Sequence, residues 1–311
     1  MATWLITGGC GFIGSHLADA LIAQGDSVRI LDDLSTGKRE NVPPGCEIIV
    51  GDVAKDGMVR EAMAGVDGCW HLAAIASVVR SNEDWVGCHR VNLTGTVQVL
   101  DAARRAKGGT GIPVVYASSA AVYGDNDAIP LQEQATTHPL TAYGADKLGS
   151  ELHARVAFHV HGVPSIGLRF FNVYGPRQDP DSPYSGVISI FVRHLSRGLP
   201  ITIYGDGQQT RDFVYVGDVV RFLLKAMQQC TTQARVYNVC TGRQISILEL
   251  AHTLFRVYGH PVAVQEAPAR TGEIRISQGN PELAADQLGL RADMTLEEGL
   301  RQTLALERGG F

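Results

Sequence analysis

The sequence predicts an α/β fold, a doubly wound parallel sheet with helices on both faces, followed by a smaller α/β cap. Three observations carry this. Short apolar runs alternate with segments of helical periodicity through the first half of the chain. The runs end in glycine or aspartate, as buried strands feeding turns do. A glycine-rich stretch, Gly8-Gly9-Cys10-Gly11-Phe12-Ile13-Gly14, separates the first run from the first helical segment.

Trp4-Leu5-Ile6 reads as the first strand, and Ser15 to Gln24 as the first helix, with Leu17, Ala20 and Leu21 at helical spacing. Val28 to Leu31 is the second strand, ending at Asp32-Asp33. Glu47 to Val50 is the third, ending at Gly51-Asp52-Val53. Gly68 to Leu72, Val114 to Ala117 and Ser165 to Arg169 continue the sheet, with helices expected over Trp85–Ala106 and Tyr143–His161. Pro176, Pro180 and Pro183 then interrupt regular structure. Short strands (Ile201–Ile203, Val236–Val239) and helices (Val216–Gln228, Ile247–Val257, Leu296–Leu306) make up the remainder. The expected division is residues 1–168 for the sheet domain and 169–311 for the cap, with segments around 209–240 returning to the first domain.

A chain of 311 residues with 45% hydrophobic and 19% charged content can bury a large core. Its net charge of −5, with both signs interspersed, gives no basic field for a phosphate backbone, so nucleic acid is excluded as a partner. The cysteines, Cys10, Cys46, Cys69, Cys88, Cys230 and Cys240, are scattered without metal-ligand spacing, which fits free thiols in a reducing compartment. The N-terminus lacks the basic and apolar regions of a secretory signal. No segment approaches the ~20 apolar residues of a membrane span. The expected location is the cytoplasm.

Between a strand and a helix, Gly8, Gly11 and Gly14 allow a tight turn and close backbone approach to a pyrophosphate, whose charge the helix N-terminus attracts. The spacing is GxxGxxG, and glycines in a loop also serve as plain turn residues. Asp32, closing the second strand, is placed to accept hydrogen bonds from an adenosine ribose and to repel a 2′-phosphate, which favours NAD over NADP. Lys38 and Arg39 keep NADP open. Asp52 and Val53 suit an adenine, by hydrogen bond and apolar contact, and Ala73 and Ala74 are small enough to lie against ribose and phosphates. Each has an alternative as a turn or core residue.

Tyr143 and Lys147 stand one helical turn apart and share a face. An ammonium near a phenol favours the phenolate, bringing a pKa of ~10 toward the range where general acid–base catalysis works. The pair alone also fits a surface lysine beside a half-buried tyrosine.

GGCGFIGS at 8–15, LDDLSTG at 31–37, GDV at 51–53, HLAA at 71–74, Asn92, SSAAVYGD at 118–125, YGADK at 143–147, RFFNVYGPRQDP at 169–180 and RDFVYVGDV at 211–219 together resemble the extended short-chain dehydrogenase/reductases, closest to the UDP-sugar 4-epimerases. The resemblance runs in order over nearly the whole chain. It implies a Rossmann domain of about seven strands, a nucleotide-sugar cap, and an NAD reduced and reoxidised within each turnover. Tyr143 would take the proton of the sugar 4-hydroxyl as hydride leaves C4, and the 4-keto sugar would turn over and receive hydride on its other face. Lys147 would hold the nicotinamide ribose and lower the Tyr143 pKa. Ser119 would hydrogen-bond O4, while Ser118, one residue away on a strand, would face the opposite side. Phe12, Ile13, Asp33 and Asn92 fall in the motifs that line the cofactor.

Related dehydratases carry an Asp-Glu pair where Ala120 and Ala121 stand, and related decarboxylases a glutamate in the same segment, so epimerisation fits best. The resemblance gives Asn172 to the diphosphate or sugar region and Arg211 and Arg270 to the pyrophosphate, with surface ion pairing as their alternative. Ser277 falls where a tyrosine in some members restricts the pocket to unsubstituted hexoses, so its small side chain implies UDP-GlcNAc/UDP-GalNAc, alongside or in place of UDP-Glc/UDP-Gal. Pairing of the two long helices across a two-fold axis into a homodimer follows by analogy. The rivals are a 4-keto-sugar reductase or dehydratase, and a catalytically idle nucleotide-binding protein. His71 reads as a structural hydrogen-bonding residue, Asp212 and Asp218 as braces, and no histidine as a metal ligand.

Overall fold

The computed structural model describes every residue except Asp56, 181–185, Thr231, Thr232, Thr271, Gly310 and Phe311, and no side chain from 306 onward. Pro183 in the proline-rich stretch and Thr271, which follows Arg270, therefore lie outside the described residues.

Seven strands form one sheet. The first six are β1 (Thr3–Thr7), β2 (Ser27–Asp32), β3 (Glu47–Val50), β4 (Gly68–His71), β5 (Val114–Ser119) and β6 (Ser165–Phe170). Their order is β6-β5-β4-β1-β2-β3, with the Ala234–Val239 strand outside β6. Every pairing among the six is parallel. All residues of β4 and β6 are buried, as continuous apolar strands require when helices cover both faces. The order reverses direction between β1 and β4, whose last residues Thr7 and His71 stand in register. Ligands of open parallel sheets sit outside the carboxyl ends of strands at such a reversal.

Contacts divide the chain into two compact units, Met1–Gly124 with Thr136–Phe170 and Val220–Tyr237, and Asp125–Ala135 with Phe171–Val219 and Asn238–Phe311. The first contains a buried cluster that includes Leu5, Leu31, Val59, Val99, Val114 and Val163. The second holds two-stranded pairings, Asn172–Tyr174 with Phe213–Tyr215, Ile201–Tyr204 with Val264–Ala267, and Thr210–Arg211 with Ile245–Ser246.

Helix Ala142–His161 begins where the Thr141 side chain accepts from the Gly144 N–H at 3.0 Å, and ends at Gly162 in the left-handed conformation. The single helix expected over Trp85–Ala106 is instead Trp85–His89, a π-turn at Arg90–Thr94, and Gly95–Arg105. Within the wide turn, Asn92 Oδ1 accepts from Ile75 N at 2.8 Å and its Nδ2 donates to Ile75 O at 3.2 Å. Helices Val187–Ser196 and Glu282–Leu288 and strand Val264–Ala267 were not expected from the sequence. Among the described residues no helix is long and apolar enough to cross a membrane, and all six cysteines are free thiols.

Candidate active site

The glycine turn packs as tightly as its spacing implies. Gly8 has φ +72°, and a Cβ there would stand 2.7 Å from the Ala73 nitrogen; one on Gly14 would collide with the Gly8 carbonyl. The Gly11 face is open, since a Cβ would meet only the Gly8 oxygen at 3.3 Å. Gly11 is the N-cap of helix Phe12–Ala23, offers no side-chain cap, and no acidic residue occupies the first turn, so the leading N–H groups are left for an anion. These features fit a dinucleotide pyrophosphate.

Asp32 Oδ2 accepts from Cys10 N at 2.9 Å and Oδ1 from Leu34 N at 2.8 Å, which ties the end of β2 to the glycine turn. Burial raises its pKa, and these two N–H groups act in the opposite sense. Asp33 is exposed and accepts from Ser35 N at 2.9 Å. Asp52 is held by Arg90 at 2.7 Å, Val53 is in the core, and Asn92 spends its amide on Ile75. Asn92 thus fixes the backbone of the loop after β4, which carries Ala73 and Ala74.

Ser119, Tyr143 and Lys147 come together at the end of β5. The Ser119 hydroxyl is close enough to the Tyr143 phenol to favour its ionised form, and Ser119 Oγ accepts from Ala121 N at 3.1 Å. Ser118 Oγ donates to Glu151 Oε1 at 2.5 Å, so Ser118 meets the same helix as Ser119 and does not face the opposite side as expected. Lys147 Nζ donates to the Ala117 carbonyl at 2.8 Å and lies 5.8 Å from the centre of the Tyr143 ring. Tyr143 N donates to Ser81 Oγ at 3.2 Å, a support the sequence gave no sign of.

The electrostatics depart from the expectation that Lys147 lowers the Tyr143 pKa. Burial raises the phenol above its ordinary value, the neighbouring Ser119 hydroxyl opposes this, and the ammonium, turned to the Ala117 carbonyl, is not among the groups acting on it. Lys147 is itself lowered to about 8 by burial, with Asp146 acting in the opposite sense. It therefore keeps its charge at neutral pH.

Beneath the site, Thr7 Oγ1 lies 2.7 Å from His71 Nδ1, and His71 Nε2 lies 3.0 Å from Thr96 Oγ1. The Thr96 hydroxyl donates to Asn92 O at 2.7 Å, so the proton of His71 sits on Nε2 and Thr7 donates to Nδ1. Burial and then the Lys147 charge push the His71 pKa down to about 3.

The proposed sugar-nucleotide residues lie in the second unit. Asn172 is exposed. Arg211 donates to Thr210 O, Ile274 O and Glu273 Oε1 at 2.8–2.9 Å, so its guanidinium is already engaged within the protein. Arg270 stacks 4.0 Å from the centre of the Tyr204 ring. Ser277 is half-buried, its N–H donating to Thr210 O at 3.2 Å. Asp212 accepts from Thr241 and Gly242, and Asp218 from Met294 N, as braces.

The profile of the NAD dependent epimerase/dehydratase family matches residues 4–240. The chain belongs to that family. It is 36% identical over 308 residues to a putative UDP-glucose 4-epimerase of Methanocaldococcus jannaschii, covering 96% of each chain. It is 35% identical over 310 residues to the UDP-glucose 4-epimerase of Mycolicibacterium smegmatis, covering 98% of each. Among solved structures, the UDP-glucose 4-epimerase of Thermotoga maritima with UDP-glucose superposes with a TM-score of 0.94 at 33% identity, over 99% of both chains. A UDP-N-acetylglucosamine 4-epimerase of Methanobrevibacter ruminantium, in complex with UDP-N-acetylmuramic acid, gives 0.94 at 32%, over 100% of this chain and 99% of that one. The Thermus thermophilus UDP-glucose 4-epimerase with NAD gives 0.90 at 36%, over 99% and 100%. This member of the epimerase/dehydratase family has the Rossmann-type parallel sheet of those structures, and NAD is its cofactor. The family also includes decarboxylases and dehydratases, such as UDP-glucuronic acid decarboxylase 1 of Arabidopsis thaliana, 32% identical over 306 residues.

His71 gives the site a pH signature in stability. Its folded pKa of about 3 lies below the ordinary 6.5, so between these values the unfolded chain binds a proton that the folded one does not. Stability attributable to His71 is complete above pH 6.5 and is lost as pH falls toward 3. Relative to pH 7, wild type should lose about 2 kcal/mol more than His71→Gln by pH 5, measured by urea unfolding at a series of pH values. Parallel curves for the two proteins would contradict the assignment.

Proposed function

We propose that the chain is a UDP-hexose 4-epimerase that inverts C4 of UDP-GlcNAc/UDP-GalNAc, UDP-Glc/UDP-Gal or both, through a 4-keto sugar. The observation that carries this is the grouping of Ser119, Tyr143 and Lys147 at the end of β5, with Lys147 Nζ 5.8 Å from the centre of the Tyr143 ring and no ionisable group at Ala120 or Ala121. Bound NAD supplies a hydride acceptor that returns what it takes. The glycine turn with the first turn of helix Phe12–Ala23 would hold the pyrophosphate, Asp32 the adenosine ribose, and Lys147 the nicotinamide ribose. Tyr143 takes the proton from O4 and gives it back, and Ser119 steadies that oxygen. Dehydration or decarboxylation needs further acid–base groups, and the turn at Ala120–Val122 offers only alanine and valine.

Incubation with UDP-Glc and UDP-GlcNAc separately, with products resolved by proton NMR, should show C4 epimers without added reductant. Tyr143→Phe should lower turnover at least about 100-fold. Net consumption of reduced cofactor would favour the 4-keto-sugar reductase, and unchanged turnover in Tyr143→Phe would exclude the mechanism.

Arg211, Arg270 and Asn172 are the residues we assign to the UDP-sugar, with Arg211 exchanging Glu273 for phosphate oxygens. Ser277 leaves space for an N-acetyl group. Ser277→Tyr should abolish turnover of acetylated sugars and spare plain hexoses. Equal loss of both would remove the pocket argument.

A homodimer is supported by Leu152, Val156 and Val160, spaced by four on helix Ala142–His161 and 51%, 53% and 66% exposed. Wild type should sediment as a dimer and Val156→Glu as a monomer. A monomeric wild type would refute the pairing.

A further inference from the structure

Three successive residues at the end of β5 contact three residues at four-residue intervals on one face of helix Ala142–His161. Ala117 meets Lys147, Ser119 meets Tyr143, and Ser118 meets Glu151. The proposed chemistry uses the first two contacts and leaves the third without a role. Glu151 is 5% exposed and is held by Arg169, at the end of β6, through two bonds: Nε to Oε1 at 2.8 Å and Nη2 to Oε2 at 2.6 Å. Arg169 Nη1 donates to Tyr123 Oη at 2.8 Å, and the guanidinium lies 4.7 Å from the centre of that ring. Ser118 precedes Ser119, and Tyr123 follows the Ala120–Val122 turn whose first N–H groups Ser119 caps. One carboxylate–guanidinium pair therefore grips the chain on both sides of Ser119.

A buried ion pair is poor evidence of added stability, because apolar residues of similar volume often replace such pairs without loss. What apolar residues cannot supply is the directional hold on the Ser118 hydroxyl and the Tyr123 phenol.

We propose that Glu151 and Arg169 are positioning residues whose ion pair clamps residues 118 and 123 and thereby sets the placement of the Ser119 hydroxyl beside the Tyr143 phenol. The proposal rests on the reading of Tyr143 as the base. Burial and the Ser119 hydroxyl act on the phenol's titration, while Lys147 on the same helix lies 5.8 Å from its ring centre and Ser81 accepts from its backbone N–H. The Ser119 hydroxyl favours the ionised phenol, so displacing it moves the phenol's titration to higher pH.

The test uses full-length, NAD-loaded protein in two variants. Glu151→Leu/Arg169→Met removes both charges while keeping bulk, and Ser118→Ala removes only the hydroxyl that meets Glu151. Each should retain bound nucleotide and keep KM within about twofold, with kcat lowered roughly tenfold or more in the double variant and less in Ser118→Ala. The ascending limb of the kcat pH profile should move up by about half a unit or more. The tyrosinate absorbance assigned to Tyr143, by difference from Tyr143→Phe in the same background, should move with it and needs no turnover. An unshifted limb and an unshifted tyrosinate titration in Ser118→Ala would overturn the proposal whether or not the double variant folds. Retained activity in Tyr143→Phe would overturn the underlying reading as well; a wild-type limb that belongs to Tyr143, with variants that match it, would overturn the positioning role alone.

Discussion

The chemistry depends on how the end of β5 is fastened to helix Ala142–His161. A carbonyl that accepts from Lys147, a hydroxyl held by the Glu151 carboxylate, and a hydroxyl beside the Tyr143 phenol come from consecutive residues. Both serines reach one face of that helix, Ser118 held by the Glu151 carboxylate and Ser119 beside the Tyr143 phenol. The register is held from β6 as well, where Ser118 pairs with Arg169 and Ser119 with Phe170.

Burial sets the electrical character of this region. Lys147, Asp146, Glu151 and Arg169 are all at most 5% exposed, yet their formal charges cancel. The acids and bases are held apart by role. Glu151 and Arg169 satisfy each other, whereas Asp146 bonds His89 at 2.7 Å and Lys147 bonds a carbonyl. A lysine whose ammonium has a neutral dipole for a partner remains able to turn toward another acceptor. The same burial makes His71 a permanently neutral member of a hydrogen-bond chain between β1, β4 and the helix carrying Thr96.

Much of this was legible in the sequence because buried parallel strands are short apolar runs and their turns are glycine and aspartate. The six strands of the first half and helix Ala142–His161 fall where those runs and the Thr141 cap place them. Strand Val264–Ala267 escaped because three of its four residues are exposed and give no alternation. Helix Glu282–Leu288 is only seven residues long and starts after a proline. At the site, the sequence names candidate residues but gives no sign of their engagements within the protein. Arg211 meets Glu273, 62 residues away, and Asn92 turns to Ile75 through a wide helical turn that no propensity announces. The Tyr143 pKa direction differs from the expectation because burial of the phenol, which residue spacing does not reveal, raises it.

The π-turn at Arg90–Thr94 bears on how this chain tolerates change in length. Such a turn accommodates one more residue than an α-turn while keeping the helical phases before and after it. Losing one residue there would let the segment close into ordinary helix, with Gly95–Arg105 still presenting the same side to the sheet. What would vanish is the outward bow that brings the amide to residue 75. Length variation among natural homologues at this point would therefore leave the scaffold standing while unhooking the loop after β4.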